Sequence, residues 1–291
     1  MTRPRRPDDR RAFGPEGLNR PAEQTRRSDD RRAFGPEGLN RPAQYTKRAV
    51  LAGVLAAPAL ARARPGCRGT VYLTIDTGWS REAEQIAAIL RRREVRATLF
   101  VADEPTWRGD RSLEEGWAPF WRARAAEGHA FASHTWRHWY FRGDPAPGQV
   151  RYAARDGSGQ EVLDGAALCA ELRRPMERLR QWVPEARVLP LWRAPGGITT
   201  PNALTLAAAC GLHHQGWTAN GFWGDELDSA RYPNTALARR AIERTRDGEV
   251  VVMHWGIRSR RDPFAHVLEE VIAGLQARGL CFETLPPEGI A

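Results

Sequence analysis

Strand-like and helix-like stretches alternate along this chain from Gly66 onward, and this alternation constrains its fold more than any other feature. Short runs of β-branched and aromatic residues predict strands, whereas apolar residues spaced three and four apart predict helices. The predicted strands are 71–76, 95–101, 129–133, 187–193, 212–218, 248–254 and 279–284. Strands that alternate with helices are typical of a parallel sheet. We therefore predict an α/β fold, a parallel barrel of about seven strands in a single domain.

Two of the predicted helices have a clear apolar face. The first covers 81–93 and follows Ser80, whose hydroxyl is a typical N-cap, and the second covers 263–277. Two other stretches, 103–127 and 140–160, carry aromatic, polar and glycine residues without regular spacing. We predict that both are long loops.

The N-terminal part of the chain has the composition of a tail. Residues 8–22 recur unchanged at 29–43. This repeat is rich in Pro, Gly, Arg and Asp, so it cannot bury an apolar face. We predict that residues 1–44 are disordered.

Residues 45–63 have the order of segments found in an export signal. A positive segment precedes an apolar run of twelve residues, Ala49 to Leu60, and small residues follow it. A membrane span needs about 20 apolar residues, so the run is too short to cross a bilayer. We predict cleavage after Ala63 and a mature domain of residues 64–291, exported to the periplasm or the outside. TKRAVL is similar to a twin-arginine signal, and the alternative is that the run is a first helix of the domain.

Basic charge is concentrated in the same N-terminal part. The formal net charge is +9, and residues 1–63 hold 14 Lys and Arg against 7 Asp and Glu. The remaining residues, 64–291, hold 30 against 28. A nucleic-acid-binding domain carries its excess of basic residues on the folded part. We therefore expect no nucleic-acid partner, no stable membrane span and a monomeric domain.

Four cysteines allow three different pairings. Cys67 comes just before the first predicted strand and Cys281 lies in the last, which would be neighbours in a closed barrel; the others are Cys169 and Cys210. The spacing fits no zinc motif, and disulfides are permitted if the domain is exported. Four free cysteines are the alternative.

Polar residues end four of the predicted strands. The first strand ends on Asp76, the third on His134, the fourth on Arg193 and the sixth on His254. In parallel barrels, active sites are built at the carboxyl ends of the strands. We therefore expect these four side chains to converge.

His134 and His138 are four residues apart. On a helical turn this spacing places both imidazoles on one face, where they suit two ligands of one metal ion. One packed and one exposed histidine is the alternative. Arg193 precedes Pro195 and two glycines, and its guanidinium could hold a carboxylate in position.

In this order the residues resemble the polysaccharide deacetylase family, carbohydrate esterase family 4. The similarity extends from about Gly69 to Leu285. LTIDTG resembles the first motif of the family, SHTWRH the second, WRAPGG the third, the region after Trp217 the fourth and VVMHW the fifth. RATLFV and EGHAFASH are similar to connecting segments. SHTWRH and the arginine-proline pair are the most specific of these motifs.

The resemblance implies a distorted (β/α) barrel that hydrolyses an acetamide or acetyl ester with a divalent metal ion, zinc or similar. It assigns Asp76 as general base, Arg193 as its orienting partner, His254 as general acid, and His134 and His138 as metal ligands. Indole rings offer flat apolar platforms to sugars, and backbone N–H groups after Pro195 would help to hold the oxyanion. The expected substrate-binding residues are Trp79, Trp136, Pro195, Gly196, Trp217, Trp223 and Trp255.

The metal motif departs from the family pattern at one position. Thr77 stands where the family has an aspartate as third metal ligand, and a hydroxyl is a poor ligand for a hard divalent ion. Two histidines alone bind zinc more weakly than three ligands do. Asp103, just past the second predicted strand, is a candidate for the missing carboxylate.

Three other positions depart as well. Gly196 stands where a tyrosine is usual, which removes a ring but keeps a backbone donor. Asn220 occupies a position where an aspartate is common, but Asp225 and Asp228 follow, and either could support the general acid; we place Asp225 among the catalytic residues. Trp255 replaces an aspartate that often follows the histidine of the fifth motif.

These observations support three hypotheses. The leading one is an exported hydrolase that removes acetyl groups from an N-acetylated or O-acetylated polysaccharide, such as peptidoglycan or a chitin-like oligosaccharide. The second is a metal-independent amidohydrolase that acts on a small amide. The third is a carbohydrate-binding pseudoenzyme, and the retention of Asp76, Arg193 and His254 speaks against it because binding alone needs no acid–base pair.

Overall fold

A computed structural model describes residues 66–290. The predicted tail (1–44) and export signal (45–63) lie outside these residues. The strands of the described chain are β1 (Gly69–Asp76), β2 (Thr98–Val101), β3 (Ala130–Ser133), β4 (Tyr140–Gly143), β5 (Val150–Ala153), β6 (Gln160–Leu163), β7 (Val188–Trp192), β8 (His213–His214), β9 (Val250–His254) and β10 (Leu280–Phe282). The α-helices are α1 (Ala83–Arg92), α2 (Ala118–Ala126), α3 (Gly165–Trp182), α4 (Pro201–Ala209), α5 (Asn234–Arg244) and α6 (Ala265–Ala277).

Seven of these strands form one curled parallel sheet, which we call the half-barrel. Its order is β10, β1, β2, β3, β7 and β8, and β9 pairs along β1. Within residues 66–290 the sheet does not close, because β8 and β9 do not pair. After β8, an isolated parallel bridge joins Phe222 to Val252 of β9 and narrows the gap between these two strands. The predicted α/β fold of parallel strands is confirmed, because each of the seven predicted strands is present.

Strand β1 lies at the centre of the half-barrel because it pairs with three others. Its residues 69–71 pair with β10, 72–76 with β9 and 74–76 with β2. Val71, Leu73 and Ile75 of this strand are fully buried. A buried aliphatic side chain contributes about 1.5–3 kcal/mol relative to an exposed one, so β1 is firmly anchored.

Helices α1 and α6 lie close to their predicted bounds, but the predicted N-cap of α1 is wrong. The cap position is Glu82, and no side chain caps the helix. Ser80 instead has a left-handed φ of 57°, and its hydroxyl donates to the carbonyl oxygen of Gly78. The hydroxyl is therefore used inside the turn that joins β1 to α1.

Both stretches predicted as long loops contain regular structure. The stretch 103–127 includes α2, whose pattern is obscured because Arg124 is buried among its apolar residues, where it contacts the Phe120 ring and pairs with Glu127. The stretch 140–160 forms most of a three-stranded antiparallel sheet, β4-β5-β6, which we call the small sheet. Its strands have four residues each and mix exposed polar residues with apolar ones, so the sequence shows neither an apolar run nor a clear alternation.

The small sheet has an apolar core of its own. It packs with helices α3 and α4 and with the end of β7. The buried members of this core are Phe141, Val150, Tyr152, Leu163, Leu168, Leu172, Trp192, Ala194, Ala203 and Ala207. Through β7, this second core is continuous with the edge of the half-barrel that carries Arg193.

Two disulfides link distant parts of the described chain. Cys67 pairs with Cys281, which joins the start of β1 to β10, and Cys169 pairs with Cys210, which joins α3 to the end of α4. The Cα atoms of the two pairs are 5.7 and 5.9 Å apart. Among the helices of residues 66–290, none has both the length and the apolar character needed to cross a bilayer.

Candidate active site

The polar residues that end the strands of the half-barrel lie at one edge of the sheet. Asp76 and His254 are direct partners in the β1–β9 ladder. His134 follows the last residue of β3, and Arg193 follows the last residue of β7. The structure brings these four side chains together because the strands are parallel and nearly in register.

Asp76 and Arg193 form a buried ion pair. Nη1 of Arg193 lies 2.7 Å from Oδ1 of Asp76 and 2.7 Å from Oγ1 of Thr74. The other guanidinium nitrogens donate to the carbonyl oxygens of Gln215 and Gly216. The guanidinium is fully buried, and these contacts together hold it in one orientation. The fixed guanidinium in turn orients the Asp76 carboxylate. Burial lowers the pKa of Arg193, and the negative charge of Asp76 opposes that shift.

His134 and His138 face each other through their Nε2 atoms, which are 3.1 Å apart. Nδ1 of His134 lies 3.0 Å from the carbonyl oxygen of Arg193, and Nδ1 of His138 lies 3.1 Å from Oε1 of Glu104. Both partners are acceptors, so each Nδ1 carries a proton, and a neutral ring of this tautomer has its lone pair on Nε2. Burial, followed by the charge of His138, holds the pKa of His134 well below its usual value. The two Nε2 atoms are therefore the candidate metal ligands of this pair.

The two imidazoles converge through an irregular loop and not through the predicted helical turn. Thr135 and His138 have left-handed φ angles of 65° and 55°, which are unfavourable for residues with a side chain. The hydroxyl of Tyr152 lies 2.8 Å from Oγ1 of Thr135 and accepts from the N–H of Trp139. Oγ1 of Thr135 accepts from the N–H of His138. The small sheet therefore holds this loop from behind.

A buried carboxylate completes the support of the histidine loop. Glu171 on α3 accepts from the backbone N–H of Arg137 and lies 3.0 Å from the hydroxyl of Tyr152. Arg137 also contacts it through Nε. Glu171 lies far from the motifs in sequence, and a buried acid within an amphipathic helix was the one signal that could have indicated it.

Glu104, and not Asp103, reaches the histidines. Asp103 pairs with Arg111 at 2.7 Å and accepts from the N–H of Leu113, so it faces away from His138. Oε1 of Glu104 lies 3.1 Å from Nδ1 of His138. The buried Oε2 atom of Glu104 has no hydrogen-bond partner within residues 66–290. A carboxylate behind a histidine orients the ring and raises its basicity as a ligand. Sequence reasoning selected the neighbouring acid.

Thr77 does not replace the missing carboxylate. Its hydroxyl accepts from the N–H of Ala102 at 3.1 Å, which ties the end of β1 to the end of β2. The described residues contain no group of three His, Cys, Asp or Glu placed to hold an ion. Two zinc ligands at about 2.05 Å in tetrahedral geometry are about 3.3 Å apart, close to the separation of the imidazoles. The two imidazoles could therefore each supply one ligand to a divalent ion, and Oδ2 of Asp76 lies 3.5 Å from Nε2 of His134.

His254 is held by Asp225. Oδ2 of Asp225 accepts from the backbone N–H of His254 at 2.7 Å and lies 3.0 Å from its Nδ1. Burial disfavours charge on this ring, but the carboxylates of Asp225, Asp76 and Glu226 outweigh it and raise the pKa of His254 to about 10. The ring is therefore protonated at neutral pH, as a general acid must be. Asp228, the other candidate, instead accepts from two backbone N–H groups of its own loop.

The turn after Arg193 is crowded by aromatic rings. Gly196 and Gly197 have left-handed φ angles of 63° and 68°. A Cβ on Gly196 would overlap the ring of Tyr140, and one on Gly197 would lie 2.6 Å from the ring of Trp217. Both positions therefore need glycine for two reasons, backbone conformation and space.

Of the five tryptophans predicted to bind substrate, three are partly exposed and two lie in the core. Trp79 and Trp217 are partly exposed and stack with Arg258 and Arg193. Trp136 is partly buried under Arg174. The structure places Trp223 and Trp255 in the core, each 1% exposed, where neither offers a face to a ligand. Their apolar surface serves packing instead: Trp223 contacts Phe264 and Trp255 contacts Phe120.

Comparison with known proteins identifies the family. A family model described as "Polysaccharide deacetylase" matches residues 63–214, more than half of the chain. The chain belongs to the polysaccharide deacetylase family. It is 27% identical over 227 residues to a chitooligosaccharide deacetylase from Sinorhizobium fredii (strain NBRC 101917 / NGR234), with 75% of this chain and 90% of that protein covered.

Solved structures with a similar fold include active enzymes and a pseudoenzyme. One is a family 4 carbohydrate esterase from Streptomyces lividans in complex with acetate (20% identity, 76% of this chain and 95% of that chain, TM-score 0.55). Another is a family 4 acetyl xylan esterase from Clostridium thermocellum with a cobalt ion (18%, 74% and 87%, 0.56). A third is a CE4 family pseudoenzyme from Bacillus anthracis (16%, 74% and 63%, 0.54). At these identities the similarity shows the fold alone.

The family match covers only part of this polysaccharide deacetylase's site. Asp76, both histidines and Arg193 lie within the matched residues, whereas Asp225 and His254 lie beyond residue 214. The assignment of the acid therefore depends on the geometry of the β1–β9 pair.

Proposed function

We propose that this chain is a hydrolase that removes acetyl groups from an N-acetylated polysaccharide, with peptidoglycan and chitin-like oligosaccharides as the substrate class. One observation carries the proposal. A carboxylate fixed by a buried arginine, Asp76, and an imidazole fixed by a buried aspartate, His254, end neighbouring strands in register. Membership of the family and the similarity to a chitooligosaccharide deacetylase support it.

The chemistry follows from the two fixed groups. Asp76 uses Oδ1 for Arg193, so Oδ2, on the histidine side, is free to take a proton from the attacking water. The water oxygen adds to the acyl carbon, the C–N bond breaks, and Nε2 of His254 gives its proton to the departing amine. Acetate and a free amine are the products. The N–H of Gly197 is used within its turn, so the N–H of Gly196 is the candidate oxyanion donor.

His134 and His138 would hold a divalent ion, zinc or similar, which would polarise the acyl oxygen and acidify the attacking water. With two protein ligands in place of three, we expect weaker binding than at a three-ligand zinc site. Glu104 and the carbonyl of Arg193 orient the two rings, so the site remains ordered without the third ligand.

Export to the periplasm or the outside is part of the proposal. The two disulfides support it, because disulfides persist in oxidising compartments. The apolar run that follows a positive segment within residues 45–63 agrees with it. The proposal includes a monomeric domain.

Acetate release from chitooligosaccharides and peptidoglycan, measured on the purified chain with and without a chelator, tests the activity. Asp76→Asn and His254→Ala should each lower kcat about a hundredfold or more. His266→Ala is the matched control, because His266 forms a similar histidine–aspartate pair with Asp262 on the exposed surface and should not affect kcat. Full activity in either site variant would refute the mechanism.

The chelator separates the remaining hypotheses. Activity that is lost with chelator and restored by added zinc or cobalt supports the proposal. Chelator-resistant turnover of a small amide would favour the metal-independent amidohydrolase. Saccharide binding without turnover would favour the pseudoenzyme, a state that occurs in this fold.

A further inference from the structure

The ring of Tyr140 packs against Gly196 on the side where a side chain would project. The two residues are far apart in sequence, and the small sheet brings them together: Tyr140 is the first residue of β4, and Gly196 lies in the turn after β7. The contact is so close that a Cβ on Gly196 would overlap the Cε1 atom of the tyrosine. The ring therefore occupies the volume that a side chain at position 196 would fill.

The same ring borders the histidine pair. The ring centroids of Tyr140 and His138 are 6.3 Å apart, with the planes inclined by 62°. Arg142 stacks on the tyrosine at 4.9 Å. The phenol oxygen makes no hydrogen bond to any of residues 66–290, and the side chain is partly exposed. Tyr140 thus presents an apolar ring between His138 and the turn that starts at Pro195.

We propose that Tyr140 is a specificity-determining residue that closes one side of the acyl pocket and limits the acyl group to acetyl. The inference rests on the proposed function, because the acyl carbon must lie between Asp76, the histidine pair and the turn. Because the ring of Tyr140 packs directly against Gly196, an acyl group longer than acetyl would have no room on that side of the pocket. One methylene group in an apolar pocket changes selectivity by about 10-fold to 200-fold.

Selectivity between acyl groups tests this inference. The wild-type chain and its variants are assayed on chitooligosaccharides that carry N-acetyl or N-butyryl groups, and the ratio of the two kcat/KM values is measured. Tyr140→Ala should raise the relative kcat/KM for butyryl at least about tenfold. Tyr140→Phe keeps the ring and should leave the ratio unchanged. Arg142→Ala removes only the stacked cation and is the matched control.

Binding of the product anions makes the test independent of turnover. Acetate and butyrate are titrated into each variant, and their affinities are measured by calorimetry. Tyr140→Ala should improve butyrate binding relative to acetate by a similar factor even if no substrate is hydrolysed, so a failure of the proposed function is distinguishable. A folded Tyr140→Ala variant, verified by its melting temperature, that keeps both wild-type ratios would overturn the inference.

Discussion

The half-barrel and the small sheet contribute to the site in different ways. The half-barrel carries the proposed base Asp76, Arg193 and the proposed acid His254 at the ends of its strands, where parallel pairing brings them into register. The small sheet carries none of these groups. It holds the loop of His138 through Tyr152 and places Tyr140 over Gly196. In the proposed mechanism, proton transfer depends on the half-barrel alone, whereas metal binding and acyl selectivity also need the small sheet.

The largest expected effect is that of Arg193→Leu, which breaks the half-barrel's part of the site. It leaves Asp76 buried without its cation, so we expect a loss of about 3–5 kcal/mol in the free energy of unfolding. Activity should also be lost, because the carboxylate is no longer oriented. Urea denaturation measures the first effect and acetate release the second. Arg92→Ala, which removes an exposed pair with Glu269, should change stability by about 1 kcal/mol or less.

Asp225→Asn should change the pH dependence of the acid. The pKa of His254 is raised to about 10, so kcat/KM should hold at neutral pH and fall as pH rises through about 10. Without the Asp225 charge the alkaline limb should move to lower pH, with about a hundredfold loss once His254 is deprotonated. The raised pKa also contributes stability that is fully present below about pH 6.5 and is lost as pH rises through about 10. An alkaline limb unchanged by Asp225→Asn would contradict this assignment.

Glu104→Gln tests the support of the histidine pair. The amide is nearly isosteric but lacks the carboxylate charge behind His138, so zinc or cobalt affinity should fall about 10-fold to 100-fold. Equilibrium dialysis measures the affinity directly. Asp103→Asn is the matched control, because Asp103 faces Arg111 and its loss should leave metal affinity unchanged.

Tyr152→Phe separates the two regions and should have a smaller effect than Arg193→Leu. It removes one buried hydroxyl from the histidine loop and leaves Trp139 and Glu171 without that partner, a cost of about 1–3 kcal/mol. Metal affinity should fall while the alkaline limb set by His254 stays in place. Tyr232→Phe, at an exposed position, should change neither quantity. A shift of the alkaline limb in Tyr152→Phe would show that the two regions are not separable.

The fold was predictable from the sequence where the apolar pattern was long. The longer strands β1 and β9 and the helices α1 and α6 have enough residues to show their period, and the short strands β2 and β3 are runs of buried residues. The polar residue that ends a strand marks the site edge in a parallel sheet. The small sheet could not be predicted because its short strands mix exposed polar residues with apolar ones and therefore form no apolar run. Helix α2 was missed because Arg124 interrupts its apolar pattern. A charge in the sequence suggests exposure, but the structure buries this arginine, which pairs with Glu127 three residues further along.

The sequence by itself determined the half-barrel, the family motifs and the residues that end β1, β3, β7 and β9. It also showed that Thr77 stands where the family has an aspartate ligand. A hydroxyl is a poorer ligand than a carboxylate for a hard divalent ion, whatever the fold around it. Only the tertiary structure decided which neighbouring acid serves which histidine: Asp225 for His254, and Glu104 for His138. The physical reason is that hydrogen bonds depend on direction over about 3 Å, and residues adjacent in a loop point in different directions.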